Sequence, residues 1–173
     1  MIQKINIGSG EVPLPGYLNI DARADLLGVD LACDVRKLDM IGDEMFDEAF
    51  AKDVLEHMPR REWRNVLDEW IRILKPGGIL KLRFPDSILL FEAYKGGHIL
   101  LERLFQLVFG DQDCPENAHL SGLTRELVLD YLKEKGLTIL KDWRDGHADI
   151  RVSASKGELN PELSIDHPDY QFK

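Results

Sequence analysis

Cysteine is scarce in this chain. Cys33 and Cys114 are the only two in 173 residues. They lie far apart, forming neither a CxxC pair nor a zinc-ligand spacing. The sequence therefore gives no reason to expect a disulfide or a metal site. Long apolar runs are missing too: none approaches the ~18 residues of a membrane span, and the first residues do not read as a charged-then-apolar leader. A reduced, cytoplasmic protein with no membrane partner is the expectation. Positive charge is in deficit, with 22 Lys and Arg against 31 Asp and Glu and a net charge of −9. Gripping a phosphate backbone relies on Lys and Arg displacing counterions, so nucleic acid is not the expected partner. Arg60, Arg61 and Arg64 read instead as a solvated helix face. Repeats, low-complexity blocks and internal linkers are likewise missing. One domain over residues 1–155 is expected, followed by a loose polar tail over 156–173.

What the chain does contain is an alternation of short strands and crossovers. Lys4 to Ile7, Tyr17 to Ile20, Val29 to Cys33 and Phe46 to Ala51 read as strands ending at Gly8, Asp21, Asp34 and Asp53. Trp63, Val66, Leu67, Trp70, Ile71 and Leu74 then recur at helical spacing, which assigns Trp63 and Trp70 to the core. Pro76 is expected to stop that helix, and Gly77-Gly78 to turn the chain into a fifth strand, Ile79 to Phe84. Ser87 to Phe109 reads as helix interrupted at Gly96-Gly97. Thr124 caps another helix, which Gly136 ends. Leu137 to Trp143 and Ala148 to Ser153, joined through Asp145-Gly146, form an antiparallel hairpin. The fold class is thus α/β: a doubly wound, Rossmann-like, mostly parallel sheet in three layers, with a C-terminal antiparallel hairpin.

In such sheets ligands bind beyond the carboxyl ends of the strands. Gly8, Gly10, Asp21, Asp34, Asp53 and Asp86 all fall there. Glycines after the first strand let backbone N–H groups approach a ligand with no Cβ in the way, although a bare GxG is also a plain turn. A carboxylate ending the second strand is placed to accept from both hydroxyls of a ribose; its ordinary role is a surface turn. Asp34, with the Val35 N–H, suits an adenine edge, or else Asp34 caps the next few residues. Asp53 would face the bound molecule from the other side. His57 is either a scaffold group or a base.

Ile5-Asn6-Ile7-Gly8-Ser9-Gly10, Asp21, the run Asp53-Val54-Leu55-Glu56-His57-Met58 and Leu74-Lys75-Pro76-Gly77-Gly78 together resemble class I S-adenosylmethionine-dependent methyltransferases of the small bacterial type. The similarity continues through Phe109-Gly110-Asp111 and Asn117-Ala118-His119. The resemblance implies S-adenosylmethionine as cofactor. Gly8, Ser9 and Gly10 would lie at its methionine part, Asp21 at the ribose, Asp34 and Val35 at the adenine, and Asp53 beside the sulfonium and amino-acid moiety.

The chain departs from the family in one place. Only Ser9 to Gly16, with Pro13 and Pro15, separates the first two strands, whereas a parallel crossover usually needs about a dozen residues. The first helix must be lost or reduced to a turn. S-adenosylmethionine has no phosphate and carries a positive sulfonium, so a helix N-terminus is less needed than for a dinucleotide. A nucleophile must be aligned with the methyl, and a base is needed only for a hydroxyl or a protonated amine. His119, in the polar loop Asp111 to Ser121, and His57 are the candidate catalytic residues. Arg83 and Asp86 face the same pocket, and His98 reads as a surface or lid residue. The expected acceptor is a small molecule or a sugar-containing compound. Two other readings stand beside this one. A nicotinamide-dependent oxidoreductase would want a third glycine where Pro13 stands. A non-catalytic cofactor-binding or adaptor domain would keep the sheet but modify nothing.

Overall fold

The computed structural model describes residues 3–146 and 148–168. Seven strands, β1 (Lys4–Ile7), β2 (Leu18–Asp21), β3 (Leu31–Ala32), β4 (Phe46–Lys52), β5 (Leu74–Pro85), β6 (Leu137–Asp145) and β7 (Asp149–Lys156), form one sheet in the order β3-β2-β1-β4-β5-β7-β6. β3, β2, β1, β4 and β5 pair in parallel, and β7 runs antiparallel to both β5 and β6. Chain order reverses on either side of β1, so the switch point lies between β1 and β4, next to the glycine loop.

Two boundaries differ from expectation. The third strand shrinks to Leu31–Ala32. The helix α1 (Trp63–Arg72) ends before Pro76, and Leu74 leaves its apolar face to pair with Phe46 in β5. Lys75-Pro76-Gly77-Gly78 is thus strand, irregular in register against Phe46 and Glu48. A register break is where a sheet tolerates proline, which brings no N–H.

The sheet has two unlike faces. Ile5, Ile7, Ala49, Ala51, Leu80, Leu82, Phe84, Ile150, Val152 and Ala154 belong to one apolar core. That core is roofed by α1 and α4 (Arg125–Glu134). The two helices meet where Trp63 stacks edge-on to Tyr131 at 5.4 Å and the Tyr131 hydroxyl donates to Asp68 at 2.9 Å. The other face alternates into polar residues. Register sets Asn6, Phe50, Lys81 and Ser153 in one row, and Lys81 pairs with Glu48 at 3.1 Å, both buried.

A polar face does not need an apolar helix for cover, and irregular chain supplies the layer here. In the first crossover, the Tyr17 hydroxyl donates to Glu48, and Asn19 accepts from Asn6 at 2.9 Å and from the Leu14 N–H at 2.7 Å. The segment 157–168 does the rest, which corrects the expectation of a loose tail. His167 is fully buried between Phe50 and Trp143, and one ring nitrogen faces the Val152 carbonyl at 3.0 Å. Ser153 donates to the Ile165 carbonyl at 2.6 Å. Residues 169–173 lie outside the described residues.

Beyond β5, α2 (Ser87–Lys95) and α3 (Leu101–Phe109) are separated at Gly96-Gly97 as the sequence implies. They pack over the β6–β7 turn through Leu90, Leu104 and Ala148. Asp86 is a helix cap rather than a pocket residue. It is buried and accepts from the Ile88 and Leu89 N–H groups, while its second oxygen takes the Arg125 N–H. It thereby ties the starts of α2 and α4 together.

Candidate active site

Among the cavities at the carboxyl end of the sheet, two meet at shared residues. The first, of about 300 Å³, is lined by Gly8, Ser9, Gly10, Asp21, Val35 and Asp53, with Lys52, Val54 and Met58 among their neighbours. The second, of about 430 Å³, lies under α3 and is lined by Glu56, Arg103, Gln106, Asp111 and His119. Asp53, His57 and Asn117 line both.

The glycine loop shapes the first cavity. Gly8 has φ +65°, and a Cβ there would sit 2.5 Å from a Val54 methyl. Only glycine combines the left-handed conformation with so close a pass. Gly10 also has positive φ, but a Cβ there would meet nothing nearer than the Arg23 guanidinium at 3.9 Å. The loop's N–H groups do not point at the cavity as expected. Ser9 donates to the Ile20 carbonyl at 2.9 Å and Gly10 to Asp21 at 2.9 Å. With the helix gone, the loop satisfies itself against β2. It lends the cavity an unobstructed backbone and the buried Ser9 Oγ, which has no partner.

Asp21 is nearly buried at the end of β2. One carboxylate oxygen holds Gly10 and the other accepts from the Arg23 N–H at 3.0 Å. That second oxygen also takes the Arg23 Nε at 3.4 Å, so the oxygen that holds Gly10 is the one that retains a lone pair for a ligand. Val35 is set from behind, where the buried Trp70 indole donates to its carbonyl at 2.9 Å. Asp34 stands outside the cavity lining. Its carboxylate is half exposed, takes the Arg36 N–H at 2.9 Å and grips the Arg36 guanidinium, so it serves the turn.

Asp53 holds the junction of the cavities. It has φ +55°, unusual outside glycine, though aspartate tolerates it better than most residues. Its carboxylate pairs with Arg83, which also meets Asp149 and, at 3.4 Å, Asp145. One guanidinium is thus shared among three acids. Burial pushes the Asp53 carboxyl up to about 6; Arg83 opposes this and Asp149 adds to it. The Arg83 hub was not legible beforehand, because its acids come from the residue after β4, from β6 and from β7.

His57 and His119 come together although 61 residues separate His57 from the Ala118 carbonyl that faces its Nδ1 at 3.2 Å. Their rings meet edge-on at 4.8 Å. The His119 Nδ1 faces the Leu107 carbonyl at 3.0 Å. Burial lowers both imidazole pKa values, which favours the neutral rings. The loop that brings His119 is pinned from below, since the Leu120 and Ser121 N–H groups donate to the Glu56 carbonyl at 2.8 and 3.0 Å. Glu56 is a site residue that sequence reasoning passed over, and its place beside His57 was the only cue.

Residues 16–82 match the model of the methyltransferase domain family. No curated protein matches the chain. Solved structures share the fold at low identity. A SAM-dependent methyltransferase from Methanosarcina mazei is 18% identical, with 91% of this chain and 93% of that one covered and a TM-score of 0.64. A SAM-dependent methyltransferase from Thermotoga maritima is 19% identical, over 89% and 81%, with a TM-score of 0.63. The 1,6-didemethyltoxoflavin-N1-methyltransferase of Burkholderia thailandensis, solved with 1,6-didemethyltoxoflavin and S-adenosylhomocysteine, is 14% identical over 89% and 70%, with a TM-score of 0.61. The strand order, the glycine loop at the switch point and the domain match point the same way: residues 16–82 match the methyltransferase domain family, and the chain has the fold of S-adenosylmethionine-dependent methyltransferases.

Proposed function

We propose that this enzyme methylates a small-molecule or sugar-containing acceptor held in the second cavity, by in-line displacement. The observation that carries the reading is the junction at Asp53, His57 and Asn117, where the two cavities meet. A donor in one and an acceptor in the other would approach each other there.

The first cavity fits the cofactor on two counts: the Gly8 cradle that a Cβ would fill, and the unpartnered Ser9 Oγ inside it. Gly8, Ser9 and Gly10 would pass along its methionine part, Asp21 would accept from the ribose hydroxyls, and Val35 would back the adenine. When bound, the cofactor supplies an electrophilic methyl on a sulfonium that is already a good leaving group. Asp53 offers a carboxylate to the cationic end of the donor. His57 and His119 control the protonation of the acceptor from the far side of the junction. The second cavity is polar, with Arg103, Gln106, Asp111 and Asn117 around the histidines. That lining suits a hydroxyl-rich compound, and the net charge of −9 disfavours a polyanion.

The test is calorimetric titration of S-adenosylmethionine and S-adenosylhomocysteine into the wild type and Asp21→Ala, then methyl-transfer assays on small hydroxylated and amino acceptors, with RNA as the contrasting arm. Micromolar binding weakened about 10- to 100-fold in the variant is expected, as a charge-assisted hydrogen bond is worth about 1.5–3 kcal/mol. A folded wild type that binds neither compound would overturn the cofactor site, and turnover on RNA alone would overturn the acceptor class.

A further inference from the structure

The histidine pair has a third member. Glu56, beside His57 in the short 3-10 turn Leu55–His57, is almost wholly buried, and its Oε2 has no hydrogen-bond partner. One ligand atom from each of Glu56, His57 and His119 falls within 4.8 Å of the others. A buried carboxylate oxygen left unpaired is expensive, and nothing in the methyl-transfer geometry calls for it.

The histidines are oriented as ligands. In each, Nδ1 faces a backbone carbonyl, that of Ala118 for His57 and that of Leu107 for His119. The proton of a neutral His119 ring then sits on Nδ1, and its Nε2 keeps its lone pair; His57 also meets the Asp53 backbone and would give up that bond to ligate. A carbonyl that fixes the tautomer in this way is the usual outer support of a metal-binding histidine. The turn and the facing loop are also locked together by the two N–H groups donating to the Glu56 carbonyl, so the three side chains need not be gathered from a mobile state.

We propose that Glu56, His57 and His119 form a binding site for one divalent transition-metal ion of the zinc class, opening into the acceptor cavity. Two imidazoles and one carboxylate suit zinc, and three protein ligands leave a coordination position free for an oxygen. That is the pattern of a catalytic rather than a structural ion. Its charge would also offset the burial of the unpartnered Glu56 oxygen. A hydroxyl of the acceptor taking the free position would release its proton to water through the open cavity, and its oxygen would keep the electron pair that forms the bond to the methyl. The C–S bond breaks, and its electron pair leaves on the thioether sulfur. The chemical use of the ion rests on the acceptor reading above; the existence of the site does not.

The experiment is zinc titration of the metal-stripped full-length chain in competition with a chromophoric chelator, with cobalt as a spectroscopic probe. S-adenosylhomocysteine binding is measured on the same samples. The expected result is one zinc per chain, taken from the chelator. His119→Ala and the volume-conserving Glu56→Gln should each weaken zinc binding by about 100-fold or more, lose the cobalt ligand-field bands and still bind S-adenosylhomocysteine. His98→Ala, away from the cluster, should bind zinc as the wild type does. A wild type that takes up no zinc, or a folded His119→Ala that holds it as tightly, would overturn the site. Loss of S-adenosylhomocysteine binding in the wild type would count against the cofactor site instead, so the two readings fail separately.

Discussion

The two cavities are built by opposite means. The first cavity is made largely of backbone: a glycine loop that turns its own N–H groups inward, one aspartate that holds it to β2, and a valine carbonyl set by a buried tryptophan. The second cavity is made of side chains from Asp53 and the turn after β4, from β5 and α3, and from the loop before α4, held by a shared guanidinium and a histidine pair. Substitutions in the first should act through steric fit and loop strain, and those in the second through charge and protonation. Donor binding and turnover should therefore respond independently.

The largest separation is expected from His119→Ala. Turnover should fall about 10²-fold or more, in the range of lost acid–base or metal-assisted activation, while S-adenosylhomocysteine affinity stays within about twofold of wild type; the first is read from initial rates and the second by calorimetry. A parallel fall in affinity would mean that the two cavities are not independent.

Gly8→Ala should give the reverse pattern. The new methyl would lie 2.5 Å from Val54 in a left-handed backbone, where a side chain costs about 1–2 kcal/mol before any clash. A loss of S-adenosylhomocysteine affinity of about 100-fold, with a lowered melting temperature, is the expected calorimetric and thermal result. Gly10→Ala has the same backbone strain but open space around its Cβ. It should cost less than Gly8→Ala on both measurements, and equal losses would show that close approach is not what selects glycine at Gly8.

A pH series tests the junction. The Asp53 carboxyl is pushed up to about 6 by burial, and a cationic donor favours its ionised form. Donor affinity should thus be full above pH 7 and fall by up to about tenfold per unit below 6. Asp53→Asn should flatten the profile. By the same linkage, stability from this raised carboxyl is fully present below its unfolded value, about 4, and lost as pH rises through about 6.

The smallest effect should come from the tail. His167→Ala removes a fully buried ring between Phe50 and Trp143. It should lower stability in denaturant melts by about 1–3 kcal/mol without changing donor affinity. An unchanged melt would mean that the polar face needs no cover.

The sequence by itself determined the sheet, its switch point and most of the residues that line the first cavity. Each follows from local rules: a strand ending in Gly8, a carboxylate ending the next strand at Asp21, helical spacing from Trp63, and a turn too short to be a crossover before Leu137. Even the lost helix was visible in the eight residues from Ser9 to Gly16. Tertiary structure alone decided the rest. It turned Asp34 toward Arg36 and away from the cavity, made Asp86 a double cap, and laid residues 157–168 over a polar sheet face. It also set Glu56 and His57 against His119. No periodicity encodes such meetings, because they depend on where a loop lands after the sheet has formed. The backbone bonds that fix the landing, from Leu120 and Ser121 to the Glu56 carbonyl, look like any others in the sequence.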